Sequence, residues 1–254
     1  MSARNASTRE LFSFFGERFA EIDEYLLLLG KIEEAAQSGP PRIAVVNARI
    51  TTQQQRILYS SVYLQLYNLV EAVVSRCIEA VTKAATLDGK WRVDDLNGNL
   101  QAEWVRAVAR THETLNPTNR LKFAMDMCNH LMAQLPLLEF EINIGGGGNW
   151  DDAAIEKISG RVGCRLSISA ETMRLVKQAL RDDMGPLKLV KDRRNGLAHG
   201  SLSFVECADG LDVEELKKMA DAVKSYLRET IDCFARYIDL LEFLDPARKS
   251  KAVA

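Results

Sequence analysis

The strongest constraint on the fold is a long apolar stripe at helical spacing between residues 52 and about 85. Apolar side chains that recur every three to four residues lie along one face of an α-helix. The stripe consists of Ile57, Val62, Leu66, Leu69, Val73 and Ile78. Its near-continuous apolar face predicts a long helix in the core of a helical bundle.

Two further long helices are predicted at the ends of the chain. Asp212 and Glu215 form the pattern of a capping box, and an apolar stripe at helical spacing then continues over residues 216–241. An amphipathic helix is predicted over residues 8–37, and the turn residues 38–41 end it. Three long helices with apolar faces predict an all-α bundle.

Other segments are shorter, and some of them alternate with period two. Apolar residues alternate over 138–144 and again over 164–168, which predicts a small pair of strands around a helix that starts near Trp150. An extended stretch is predicted at 43–50. Shorter helices are predicted near residues 104–108, 118–133 and 172–180.

The whole chain, residues 1–254, is predicted to be a single domain. Its length of 254 residues and its apolar content of 47% are enough for one sizeable core. We expect an N-terminal helix and extended arm over 1–50 and a helical bundle over 51–245. The bundle contains a small β-strand insertion at about 136–168, and residues 246–254 are predicted to form a flexible tail.

The most informative short segment is a predicted helix that begins at Pro186 and stops at Gly200, since proline favours the first helical turn and glycine the position after the last. At about 100° per residue, Arg194 falls within the apolar stripe of this helix. A charge therefore points toward the core or an interface. Asn195 and His199 are neighbours four residues apart, so the amide is placed to orient the imidazole.

Two interpretations of these residues stay open. An arginine that faces inward needs an anionic partner, such as a carboxylate or a phosphate. Arg194 could therefore be a structural ion-pair partner and His199 a capping residue. Glu71, the charge within the long apolar stripe, either pairs with Arg194 or faces solvent. Alternatively, the histidine serves as a group that accepts and donates a proton near neutral pH.

The charge balance restricts the way in which this chain could bind a nucleic acid. A formal net charge of −2 and an isoelectric point near 6.0 argue against a general nucleic-acid coat and weaken the case for a DNA-binding regulator. Any RNA contact must be local. Lys188, Lys191, Arg193 and Arg194 against Asp192 give a net charge of +3 within the motif helix, and we expect these basic residues to bind RNA.

No metal site, cofactor or membrane segment is predicted. The five cysteines contain no Cys-x-x-Cys pair, and the three histidines are far apart in sequence. The first residues lack the basic and apolar regions of a secretory signal, and the longest uncharged run is too short and too polar to span a membrane. The cysteine usage favours a reducing compartment, so we expect a cytoplasmic protein.

The motif helix resembles that of the HEPN superfamily, whose signature is an arginine followed by four to six residues and a histidine. Arg194, Asn195 and His199 match that signature, and Gly200 follows them. The longer run LVKDRRNGLAHGSLSF and the segment Gly148-Asn149-Trp150-Asp151-Asp152 are similar to the MAE-like prokaryotic branch of the superfamily. The resemblance extends from about residue 50 onward.

This resemblance implies a HEPN-type helical bundle and a metal-independent endoribonuclease of the toxin or defence kind. Two protomers of a homodimer would bring their motifs together in one composite site. His199 would take part in proton transfer at the ribose 2′-hydroxyl, Arg194 would hold the scissile phosphate, and Asn195 would position them. The products would be a 2′,3′-cyclic phosphate and a 5′-hydroxyl, with no cofactor. An antitoxin or another regulatory protein is implied as a partner besides RNA. The alternative is a non-catalytic interaction or nucleotide-binding module.

Overall fold

The chain folds into a bundle of α-helices around one hydrophobic core, as shown by a computed structural model that describes residues 6–145 and 149–253. Within those residues the α-helices are α1 (Ala6–Gln37), α2 (Thr52–Thr86), α3 (Gly98–Val108), α4 (Pro117–Met132), α5 (Asp152–Arg161), α6 (Ala170–Lys177), α7 (Pro186–Ala198), α8 (Phe204–Cys207), α9 (Val213–Asp239) and α10 (Pro246–Val253). The predicted all-α class is confirmed.

Helix α2 is the centre of the bundle, as its apolar stripe predicted. It starts at a capping box, in which the Thr51 side chain accepts a hydrogen bond from the backbone N–H of Gln54 and the Gln54 side chain accepts one from Thr51. Helices α1, α7, α8 and α9 pack around it. Among the described residues, the segment Thr52–Gly89 is long and apolar enough to cross a membrane. However, 56% of its most apolar window is buried inside the bundle, and the core helix of a soluble protein has the same properties.

Helix α9 is the second core helix, and its start was predicted correctly. It begins at Val213, and the side chain of Asp212 accepts a hydrogen bond of 2.7 Å from the backbone N–H of Glu215. Helix α7 packs against α2, α6 and α9. The helix that carries the Arg-x4-His motif is therefore attached directly to the core.

The predicted strand pair within residues 136–168 was wrong. The single two-stranded sheet of the described residues is a hairpin of β1 (Arg42–Ile43) and β2 (Ala48–Arg49), which overlaps the segment 43–50 that was predicted to be extended. Residues 138–144 and 164–168 have no regular structure. Their alternation reflects a chain that buries Phe140 and Ile142 without a partner strand. For example, the backbone N–H of Ser167 donates to Cys233 Sγ of α9, and no strand accepts it.

The segment predicted to be a flexible tail forms α10 as far as Val253, and Ala254 lies outside the described residues. Two interactions explain this helix. The side chain of Asp245 accepts a hydrogen bond of 2.9 Å from the backbone N–H of Ala247 at the helix start. Arg248 forms ion pairs with Asp94 and Asp95, which tie the helix to the loop before α3.

Candidate active site

The position of α7 is set by a close contact at its N-cap. Gly185 is the N-cap, and Pro186 is the first helical residue. A Cβ atom built on Gly185 would lie only 2.1 Å from the carbonyl oxygen of Val176 at the end of α6. The two helices can therefore approach this closely only because residue 185 has no side chain.

The other end of α7 is closed as the sequence predicted. His199 is the C-cap, and its backbone N–H donates to the carbonyl of Asn195 at 3.0 Å. Gly200 follows with a φ of +71°, a left-handed conformation that glycine adopts without strain. The chain then turns back so that the N–H of Leu202 donates to the carbonyl of Gly196. The motif thus ends in a fixed turn.

Arg194 is half-buried and lies on an aromatic ring. Its guanidinium carbon is 4.4 Å from the ring centroid of Tyr67 on α2, a cation–π distance. Its Nη1 donates to the side-chain oxygen of Asn195 at 3.1 Å. Within the described residues Arg194 forms no ion pair with a carboxylate, so the cation remains available to an external anion.

The ion pair between Arg194 and Glu71, one of the two alternatives left open for Glu71, is not formed. Glu71 lies one helical turn after Tyr67 on α2, where it is partly buried, and it makes no ion pair with any described residue. The aromatic ring of Tyr67, and not the carboxylate of Glu71, lies against the guanidinium of Arg194. Of the two roles considered for Glu71, the structure favours a residue that reaches solvent.

Tyr67 is the site residue that sequence reasoning missed. Its side chain is fully buried, and its hydroxyl oxygen accepts a hydrogen bond from the backbone N–H of Trp150 at 3.3 Å. Tyr67 therefore connects Arg194 to the segment that precedes α5. The sequence did contain a signal for Tyr67. Glu71 was considered as a partner of Arg194, and Tyr67 lies four residues before Glu71 on the same face of α2.

His199 is exposed at the end of α7. Its imidazole makes no hydrogen bond with the described residues, and Asn195 contacts the arginine instead of the ring. The expected role of Asn195 in orienting the imidazole is therefore not seen in a single protomer. Asn195 positions the guanidinium of Arg194.

The basic residues of α7 differ in how far their charges are compensated. Lys191 pairs with Asp151, and Arg193 pairs with Asp182 and more distantly with Asp192. Asp151 and Asp182 lie outside α7, and counting them reduces the local net charge from +3 to +1. Lys188 is exposed and forms no ion pair with the described residues. Lys188 and Arg194 are therefore the cations of α7 without a carboxylate partner in this part of the chain.

Asp151 links the start of α5 to α7. One of its carboxylate oxygens accepts a hydrogen bond of 2.9 Å from the N–H of Ala154 and so caps α5, while the other pairs with Lys191. Burial alone would raise the pKa of Asp151, but the hydrogen bonds from Lys191 and Ala154 lower it below the usual value. Of the segment 148–152, Asp151 thus contacts the motif helix, and Gly148 lies outside the described residues.

The described residues contain no group of three or more His, Cys, Asp or Glu side chains that could hold a metal ion. Within these residues, the cysteines Cys77, Cys164, Cys207 and Cys233 are buried free thiols, and Cys128 is an exposed one. The site's own residues provide a cation, Arg194, and an imidazole, His199, at one helix end.

These features define a class of protein: an all-α bundle that presents Arg-x4-His at the closed end of a core-attached helix. The HEPN_MAE_28990-like HEPN family matches residues 7–243, so the chain belongs to this family. The match also includes the N-terminal helix α1, which the resemblance seen in the sequence did not reach. No curated protein and no solved structure matches the chain.

Proposed function

We propose that this protein is a metal-independent endoribonuclease of the toxin or defence type. The observation that carries the proposal is Arg194, a half-buried guanidinium on the ring of Tyr67 that has no carboxylate partner among the described residues. It lies on the same helix end as His199, an exposed imidazole. A cation for a phosphate and a group for proton transfer are the parts that this reaction requires.

The reaction uses the RNA's own nucleophile. A base removes the proton of the ribose 2′-hydroxyl, and the oxygen attacks the adjacent phosphorus. The bond to the 5′-oxygen breaks, and an acid donates a proton to that leaving oxygen. His199 serves in proton transfer, Arg194 stabilises the charge on the phosphate, and Asn195 holds the guanidinium in place. The products are a 2′,3′-cyclic phosphate and a 5′-hydroxyl.

A homodimer is part of the proposal, because one imidazole cannot serve as base and acid at the same moment. A two-fold axis near the end of α7 would bring a second copy of His199 and Arg194 to the same phosphate. The exposure of His199 in a single protomer supports this arrangement. An antitoxin or other regulatory protein would then restrain the enzyme in the cytoplasm of its host.

The test is cleavage of end-labelled total RNA and tRNA by the purified protein in excess EDTA. We expect cyclic phosphate ends from the wild type and none from His199→Ala. His112→Ala is the matched control, since His112 is also exposed but lies after α3. DNA of the same sequence should stay intact, because it lacks the 2′-hydroxyl. Equal cleavage by wild type and His199→Ala would refute the assignment.

A non-catalytic module that binds a nucleotide or a partner is the second candidate. Lys191 and Arg193 favour it, because their charges are already used in ion pairs and contribute little to an RNA-binding surface. Expression in a host cell distinguishes the two. Toxicity that disappears in His199→Ala supports the nuclease, while harmless expression of both proteins, together with nucleotide binding that depends on Arg194, supports the module.

RNA binding by α7 can be tested separately from cleavage. Lys188→Ala should reduce the salt dependence of RNA affinity, because one phosphate contact is lost. Lys191→Ala should instead lower the free energy of unfolding, because it removes the ion-pair partner of Asp151. An unchanged salt slope in Lys188→Ala would remove this lysine from the RNA-binding surface.

A further inference from the structure

A groove between α1 and α2 encloses a cavity of about 650 Å³. Small-molecule sites in proteins range from about 300 to 1,000 Å³. Ile22 of α1 and Leu69 of α2 form part of the lining and are only 3% and 4% exposed. The groove therefore offers an apolar floor and enough space for a group of the size of a nucleobase.

Two amide side chains of α2, those of Gln65 and Asn68, also line this cavity. The two residues are three positions apart, so they are neighbours on one face of the helix. Neither amide forms a hydrogen bond within the described ranges 6–145 and 149–253, and Gln65 is partly buried. Each amide carries a donor beside an acceptor. This pattern matches the edge of adenine, whose N6 donates and whose N7 accepts.

The charges at the cavity compensate each other. Arg18 and Glu21 are the charged residues among those that line it, and Arg18 Nη1 lies 2.7 Å from Glu21 Oε1. A phosphate is bound best by an arginine that has no other anionic partner. An uncharged group with hydrogen-bonding edges needs only the amides and the apolar floor. The cavity therefore fits a base and leaves the phosphate to Arg194.

The cavity is next to the candidate active site. Asn68 directly follows Tyr67, so their side chains point about 100° apart on α2. On a helix of about 10–12 Å diameter, this angle separates the two side chains by about 8 Å. The guanidinium of Arg194 lies on the ring of Tyr67. A phosphate at Arg194 and a base beside Asn68 therefore fit the same nucleotide or two neighbouring nucleotides of one strand.

We propose that this cavity binds the base of an RNA nucleotide next to the phosphate that Arg194 holds, and that adenine is the preferred base. The inference rests on the proposed nuclease function and names its substrate class, which is single-stranded RNA. A base has to be unpaired to enter a cavity, and the deep, narrow major groove of an RNA duplex keeps N6 and N7 of adenine out of reach of side chains. Gln65 and Asn68 are then the residues that determine specificity.

The first test maps cleavage in single-stranded RNA that contains one adenosine within a run of uridines. We expect the wild type to cut beside the adenosine and to prefer this RNA over all-uridine RNA by about 10-fold, the order expected for one amide–base pair. Gln65→Met keeps the side-chain length but removes the amide, and it should lose this preference. Gln53→Met is the matched control, because it makes the same change on α2 at an exposed position outside the cavity. A preference that Gln65→Met retains would overturn the proposal, and so would wild-type cleavage that is independent of the base.

The second test measures binding without cleavage. The 2′-O-methyl forms of the same two RNAs cannot be cleaved, because their 2′-oxygens are blocked, and fluorescence anisotropy gives their affinities. Gln65→Met and Asn68→Ala should each raise the Kd for the RNA with adenosine by about 10-fold, whereas Gln53→Met should leave it unchanged. Equal affinity of the wild type for the two RNAs would overturn the base site even if RNA is cleaved. Adenine-dependent binding by a protein that cleaves no RNA would refute the nuclease instead and leave the base site in place.

Discussion

Two glycine-to-alanine substitutions should change stability in opposite directions. At Gly185 the backbone angles, φ −74° and ψ 166°, are accessible to any residue, so only space is limiting. The added Cβ would lie 2.1 Å from the carbonyl oxygen of Val176, far inside contact distance. Because the obstacle is backbone, α7 has to move away from α6. Overpacking of this kind costs about 3 kcal/mol or more.

Gly16 provides the matched comparison. It lies inside α1 on an exposed face, and no atom is within 4 Å of its Cβ position. Alanine there should stabilise the helix by up to about 1 kcal/mol. For a chain of this size, about 1 kcal/mol shifts the melting temperature by about 2–4 °C. We therefore expect a fall of about 6–12 °C for Gly185→Ala and a rise of about 2–4 °C for Gly16→Ala.

Thermal unfolding followed by circular dichroism measures both shifts. If the proposed nuclease activity is present, Gly185→Ala should also reduce RNA cleavage at a temperature where it is still folded, because α7 carries Arg194 and His199. A melting temperature for Gly185→Ala within 1 °C of wild type would refute the reasoning, since the contact between α6 and α7 could then absorb a side chain.

The remaining predictions concern side chains that hold the site and its surroundings. Asp151→Ala should lower the free energy of unfolding by about 2 kcal/mol, and Asp151→Ser, which keeps a capping oxygen, by about 1 kcal/mol, as measured by urea unfolding. The folded-state pKa of Asp151 is lowered, so its contribution is present above about pH 4 and is lost as the pH falls further; Asp151→Ser should show less loss of stability in acid than wild type. Tyr67→Phe keeps the ring under the arginine but leaves the N–H of Trp150 without its acceptor; we expect a cost of about 1–2 kcal/mol with cleavage retained, whereas loss of cleavage would show that the hydroxyl matters. Arg161→Leu should destabilise more than Glu103→Leu, because the carboxylate left behind is 1% exposed and keeps only Arg106, which is 50% exposed, whereas the Arg161 left behind by Glu103→Leu is 32% exposed and can reach water; the reverse order would contradict this.

The long helices could be predicted from the sequence because each carries its own signals. The stripe of α2 and the capping residues Asp212 and Glu215 of α9 are local patterns, and local patterns define a helix whatever it packs against. The end of α7 at Gly200 was predicted for the same reason. Alternation at 138–144 was misleading, because a buried extended chain and a strand have the same period and only a partner strand distinguishes them.

The candidate site was predictable in its residues but not in its contacts. Arg194, Asn195 and His199 form a short motif on one helix, so spacing alone brings them together. The partner of Arg194 is Tyr67, which is 127 positions earlier in the chain. Neither this contact nor the ion pairs of Lys191 with Asp151 and Arg193 with Asp182 leave a periodic signal in sequence.

The sequence by itself determined the all-α class, the helices α1, α2, α7 and α9, and the motif at the end of α7, since these follow from spacing, caps and breakers within one segment. Only the tertiary structure decided which cations of α7 stay available, because charge compensation depends on carboxylates from other segments. It also decided that α4 presents its apolar face outward. A helix with two apolar edges can pack by either of them, and the contacts of Phe123 and His130 select the edge that faces the core.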